Sequence, residues 1–181
     1  MRHPTLVLAA ALSLASAPLA LALPAAAQGL IPAACPTPKV AARLPAPLAR
    51  TAARLRAGEP VVIVAIGSSS TAGAGATSRA ASYPSRLQEM LRQRFPEGDI
   101  TVINAGIGGQ DAPEMLARFD SNVAARKPTL VIWQAGVNAL FRANGLATAE
   151  EQLREAIARV RALGADLLLV EIGRASCRER V

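Results

Sequence analysis

From Val61 onward the chain alternates between two hydrophobic periods. Val61 to Ile66 is an unbroken β-branched and apolar run, the pattern of a strand covered on both faces. Tyr83 to Phe95 carries Leu87, Met90 and Leu91 at helical spacing, and Pro96 ends it. Ile100 to Asn104 predicts a second strand. Asp111 and Glu114 stand at capping-box spacing and open a helix that carries Met115, Phe119 and Val123 and stops before Pro128. Thr129 to Gln134 is a third strand. Thr148 and Glu151 repeat the capping-box pattern, ahead of a helix with Leu153, Ile157 and Val160 on one face and Gly164 at its end. Ala165 to Val170 is a fourth strand. A short helix, Leu48 to Ala57, precedes the first strand and stops at Gly58. This order predicts an α/β fold, a parallel sheet with helices on both faces. Ligands in such sheets bind beyond the carboxyl ends of the strands.

The two ends read differently. Arg2 and His3, the apolar run Leu6 to Leu23 and Ala25-Ala26-Ala27 form a secretory signal over residues 1–27, with cleavage expected before Gln28. An uncleaved anchor is the alternative, which Pro18 and the many Ala and Ser residues disfavour. Cys35 does not make a lipoprotein signal, because Pro32 stands where Leu is needed. No other segment has membrane length. The protein is therefore expected to be exported, to a periplasmic or extracellular setting. Residues 28–58 are a proline-rich lead-in and the short helix. The final eleven residues, 171–181, match a translation of a common sequencing adapter followed by a stop codon. Native sequence is expected to end near Val170, with the gene continuing beyond it.

Composition narrows the function. Hydrophobic residues are 51% of the chain, too many for disorder. The net charge of +7 is spread without long runs of one sign, so no nucleic-acid arm is expected. One histidine, His3, and two cysteines, Cys35 and Cys177, cannot build a zinc finger or a disulfide framework. No metal or organic cofactor is implied.

Three loops after predicted strands hold the candidate chemistry: Gly67 to Thr71, Asn104 to Gly109 and Gly136 to Asn138. The first lacks the Gly-Lys-Ser/Thr end of a P-loop. Neither Gly73/Gly75 nor Gly106/Gly108 completes a dinucleotide fingerprint. Thr71 stands where the serine elbow of α/β-hydrolases needs glycine. Gly67-Ser68-Ser69-Ser70-Thr71-Ala72-Gly73 instead resembles block one of the SGNH (GDSL-type) hydrolases. Asn104 to Gly109 resembles block two, and Gly136-Val137-Asn138 resembles block three. The resemblance runs from about Val61 to Val170. It implies a three-layer α/β/α sandwich of the SGNH, flavodoxin-like type, truncated at its C-terminal end, over residues 59–170. It also implies Ser69 as nucleophile, with Gly109 and Asn138 in the oxyanion hole beside the Ser69 N–H.

The chemistry suits these residue types. Acyl transfer builds negative charge on the carbonyl oxygen, and donors fixed beforehand stabilise it. Glycine at 109 allows a close backbone approach. Asn138 offers a neutral NH₂. A serine hydroxyl needs a base. In the family that base is a His in a late D-x-x-H block, oriented by an Asp, and both are absent from this chain. Ser68 and Ala139 also stand where the family commonly has Asp. The turn at 68 must then be held by a hydroxyl. In a purely structural reading, Asn104 and Asn138 cap loop backbone, Asp111 caps a helix, and Trp133 and Tyr83 belong to the core. The expected function is a secreted serine esterase acting on an acyl or acetyl ester of a small molecule or polysaccharide, with the present chain an inactive fragment. The alternatives are a non-catalytic glycan- or ester-binding protein and a sugar O-acetyltransferase.

Overall fold

The sheet is built around strand β1, Val61–Gly67, whose side chains alternate between two apolar layers. Val64 and Ile66 face one layer; Val61, Ile63 and Ala65 face the other. Five of these six-residue-run members are buried, so no polar residue fits there. The structure, a computed structural model, describes residues 44, 46–143 and 145–170. All of these belong to one compact unit, Pro38–Val181. The signal segment, Cys35, Cys177, most of the lead-in and residues 171–181 lie outside the described residues.

The elements run α1 (Ala49–Ala57), β1, α2 (Ser69–Ala72), a 3₁₀ turn (Arg79–Ala81), α3 (Tyr83–Arg94), β2 (Ile100–Gly106), α4 (Ala112–Ala117), α5 (Phe119–Asn122), a 3₁₀ turn (Ala124–Arg126), β3 (Leu130–Gln134), a 3₁₀ turn (Asn138–Phe141), α6 (Gly145–Ala162) and β4 (Asp166–Val170). The four strands are parallel in the order β2-β1-β3-β4. The chain steps one way from β1 to β2 and the other way to β3, so the crevice for a ligand opens at the carboxyl ends of β1 and β3. Helices α4, α5 and α6 supply Met115, Phe119, Ala156 and Val160 to one face. Helices α1 and α3 supply Leu55, Leu87 and Leu91 to the other. The expected three-layer α/β/α sandwich is the architecture observed.

Four local expectations are corrected. The loop from Gly67 to Ser82 contains α2 and a 3₁₀ turn. The helix after Asp111 is three pieces, not one: Arg118 takes φ −105°, ψ 11° and separates α4 from α5. Its guanidinium donates to Gln110 Oε1 at 2.6 Å, which holds the break in place. Helix α6 begins at Gly145, so Thr148 lies inside it and Glu151 closes no box. A Cβ at 145 would overlap the Ala139 carbonyl, so glycine allows the helix to start against the preceding turn. Leu153 and Met90 are exposed; small Ala156, with Val160, fills the core instead of Leu153.

Helix α1 has no side-chain cap of its own. Asp166, at the start of β4, provides one: its Oδ2 accepts from the Thr51 N–H and hydroxyl, both at 2.8 Å. That long-range cap ties the first helix to the last strand.

Phe119 stacks on Trp133 with ring centroids 6.1 Å apart, and both are buried. Phe119→Ala should cost about 3–5 kcal/mol of stability, read as a lower urea midpoint with unchanged slope. A loss near zero would show that this contact is not structural.

Candidate active site

The end of β1 turns sharply into α2. Gly67 pairs with Gly106 at the end of β2, and its neighbour Ile66 pairs with Trp133 on β3. A Cβ on Gly67 would overlap the Thr71 hydroxyl; one on Gly106 would overlap the Ala72 backbone N–H. The two strand ends therefore approach α2 as only glycines can. Ser69 is the first residue of α2 and half-buried; the turn closes with the Ala72 N–H donating to the Ser68 carbonyl at 2.9 Å.

Gln134, buried at the end of β3, collects the turn. Its Oε1 accepts from the Ser68 N–H at 3.0 Å, the Ser68 hydroxyl at 3.0 Å and the Thr71 hydroxyl at 3.1 Å. The Thr71 proton is thereby used, so the Tyr83 phenol, 3.3 Å away, donates to Thr71 Oγ1. Burial pushes the Tyr83 phenol above its usual value, against a smaller lowering by the Thr71 bond. Gln134 was not among the residues singled out from the sequence.

The loop from Ile107 to Gln110 closes the crevice. The Ile107 N–H donates to the Gly67 carbonyl at 3.0 Å. A Cβ on Gly108 would lie 3.9 Å from the Ser69 Cβ, so this loop borders Ser69. Gly109 has φ +78°, with nothing within 4 Å of its Cβ position. Asn138 Nδ2 donates to the Gln110 carbonyl at 2.7 Å, leaving a second amide hydrogen. Ser69 and Asn138 thus both contact the loop that carries Gly109.

Charged groups stand behind this loop. Arg142 donates to the Gly109 carbonyl at 3.0 Å and pairs with Glu114 at 2.8 Å. Glu114 also accepts the Asp111 N–H at 3.0 Å, completing the capping box expected at α4. That backbone bond, with help from Arg142, holds the Glu114 carboxyl below the usual range, although burial opposes it. Asp111 serves as a helix cap. Asn104 accepts the Gly106 N–H at 2.9 Å, a loop cap. Trp133 is core, and Tyr83 is half-buried against the α3 layer. Among the described residues, no group of three His, Cys, Asp or Glu side chains can hold a metal ion. No described helix is long and apolar enough to cross a membrane.

Because the Glu114 pKa is lowered on folding, its contribution to stability is present above the unfolded carboxylate value, about pH 4.3, and is lost as the pH falls through the folded value. Glu114→Gln should remove that part of the acid dependence, measured as the melting temperature between neutral pH and pH 3. An unchanged slope would show that the capping carboxylate does not couple to folding.

Comparison with known proteins places this chain in a family. The model of the Non-GDSL lipase-like family matches residues 34–173. An acetylxylan esterase of Geobacillus stearothermophilus is 33% identical over 60 residues, which are 33% of this chain and 27% of that protein. A two-domain esterase active on acetylated mannans superposes with a TM-score of 0.60 and 29% identity, over 68% of this chain and 33% of that one. A G-D-S-L family protein from Desulfitobacterium hafniense superposes with a TM-score of 0.55 and 25% identity, over 64% of this chain and 62% of that one. The match thus spans about a quarter to a third of the first two relatives. With its matched residues running from the lead-in through β4, the chain belongs to the Non-GDSL lipase-like family, within the SGNH/GDSL-type esterases.

Proposed function

We propose that the protein is a serine ester hydrolase in which Ser69 is the nucleophile. The observation that carries this reading is that Ser69 and Asn138 both meet the loop bearing Gly109, Ser69 next to Gly108 and Asn138 at the Gln110 carbonyl. The Ser69 Oγ attacks the ester carbonyl carbon, a C–O bond forms, and the carbonyl oxygen takes the negative charge. The N–H groups of Ser69 and Gly109 and the free Asn138 amide hydrogen donate to that oxyanion. Collapse expels the alcohol, which takes a proton, and leaves Ser69 acylated. Water then releases the acid.

The Ser69 proton needs an acceptor. The sequence has no His between His3 and its end. We assign this role to a His, oriented by an Asp, in a longer gene product, and the chain as given to an inactive part of it. Relatives active on acetylated xylan and mannan support an acetylated polysaccharide as substrate. The basic start and apolar run of residues 1–27 support export.

Reading the genomic DNA past the codon for Val170 should reveal a D-x-x-H block. The full-length product should hydrolyse a short-chain nitrophenyl ester. Ser69→Ala should lower kcat by at least about 10³-fold, and Asn138→Ala by about 10²–10³-fold. Full activity in Ser69→Ala would reject the nucleophile. The lack of a His favours one second reading, a binding protein on the same scaffold. It requires that the full gene also lack the D-x-x-H block, and that an acetylated oligosaccharide bind without turnover.

A further inference from the structure

The turn that carries Ser69 has one organiser that Ser69 itself does not touch. Gln134 stands on β3 directly across from Gly67, since Ile66 and Trp133 are register partners. Its Oε1 accepts two bonds from Ser68 and one from Thr71, the residues on either side of the Ser69-Ser70 pair. The amide is oriented by chemistry: the Ser68 peptide N–H can only donate, so the carbonyl end must face it. All three residues are buried, Thr71 and Gln134 almost completely. The Tyr83 phenol backs Thr71 and leaves its proton directed at Gln134. A Cβ on Gly67 would stand 2.8 Å from Gln134 Oε1, so glycine at 67 is what admits the acceptor.

We propose that Gln134 is a positioning residue for the reaction: its side-chain carbonyl holds the Ser68–Thr71 turn so that the Ser69 hydroxyl and N–H converge on one substrate carbonyl. This rests on the assignment of Ser69 as nucleophile. Gln134 makes no contact with the reacting atoms in this scheme. It acts through the N–H and hydroxyl of Ser68, the residue before the nucleophile, and the hydroxyl of Thr71, two residues after it. An error of about 1 Å in such a turn can cost about 10²-fold in rate without weakening substrate binding.

The test uses the full-length gene product and a short-chain nitrophenyl ester. Gln134→Met keeps the length of the side chain and removes the acceptor. Gln134→Glu keeps an oxygen in its place. The expected result is a kcat about 100-fold lower in Gln134→Met, KM little changed, and most of kcat restored in Gln134→Glu. The Ser68 amide should exchange with solvent faster in the methionine variant than in the glutamate variant. If Gln134→Met does not fold, Ser68→Ala and Thr71→Val each remove one donor and should lower kcat at unchanged KM. Wild-type kcat in Gln134→Met, or in both donor variants, overturns the proposal. So does an equal loss in the methionine and glutamate variants. A wild-type protein without turnover, or Ser69→Ala at the wild-type rate, overturns the nucleophile assignment instead, and shows itself before any Gln134 variant is made.

Discussion

A hydroxyl and a peptide N–H that enter the interior lose their water and need a protein partner, at a cost of about 1–3 kcal/mol for each left unsatisfied. At the end of β1, Ser68 and Thr71 both go inside, and one oxygen, Gln134 Oε1, answers them. The rest of the site depends on that junction. It sets where β1 stops, because Gly67 lies beneath the acceptor. It also fixes α2 against β3, while the close approach of Gly106 to Ala72 fixes α2 against β2. A four-residue helix with few bonds of its own is thereby held from two sides.

The second loop is held differently. Residues 107–110 carry no core side chain, and Ile107 is exposed. Polar contacts from three directions define them: Gly67 through its carbonyl, Arg118 through Gln110 Oε1, and Asn138 through the Gln110 carbonyl. Arg142 adds a bond to the Gly109 carbonyl and is itself anchored by Glu114. The carbonyls of Gly109 and Gln110 are thus both engaged by side chains, and the Gly109 Cβ position stays open. With its carbonyl held and open space at its Cβ position, Gly109 leaves room for a substrate beside the loop.

The strands were legible because burial on both faces leaves a continuous apolar run, and the three loop motifs follow those runs directly. The Asp111–Glu114 box was legible because its two bonds are local. What escaped reading was long-range. Asp166 caps α1 from the far end of the chain. Arg118 interrupts a helix that periodicity alone joins, because its partner Gln110 lies eight residues back in a loop. Gly145 opens α6 although glycine is a poor helix former, since only a residue without Cβ fits under Ala139. Gln134 looks like the last residue of a strand, and nothing local marks it as an acceptor. Motif order points to Ser69, Gly109 and Asn138, whereas the loop that Ser69 and Asn138 both contact is formed only in three dimensions.

Ser68 and Gln134 are best understood as a matched pair. The related hydrolases commonly carry Asp at the position of Ser68. A carboxylate there would face Gln134 Oε1 at about the present 3.0 Å, two acceptors with no proton between them. Turning the amide would relieve that contact, but would then direct an NH₂ at the Ser68 N–H, two donors with no acceptor between them. The neutral hydroxyl at 68 removes the conflict. It donates one more bond to the same oxygen and places no buried charge beside the nucleophile, where an unpaired carboxylate would be costly. The departure at 68 and the acceptor at 134 therefore explain each other, and a change at either position has to be accommodated at the other.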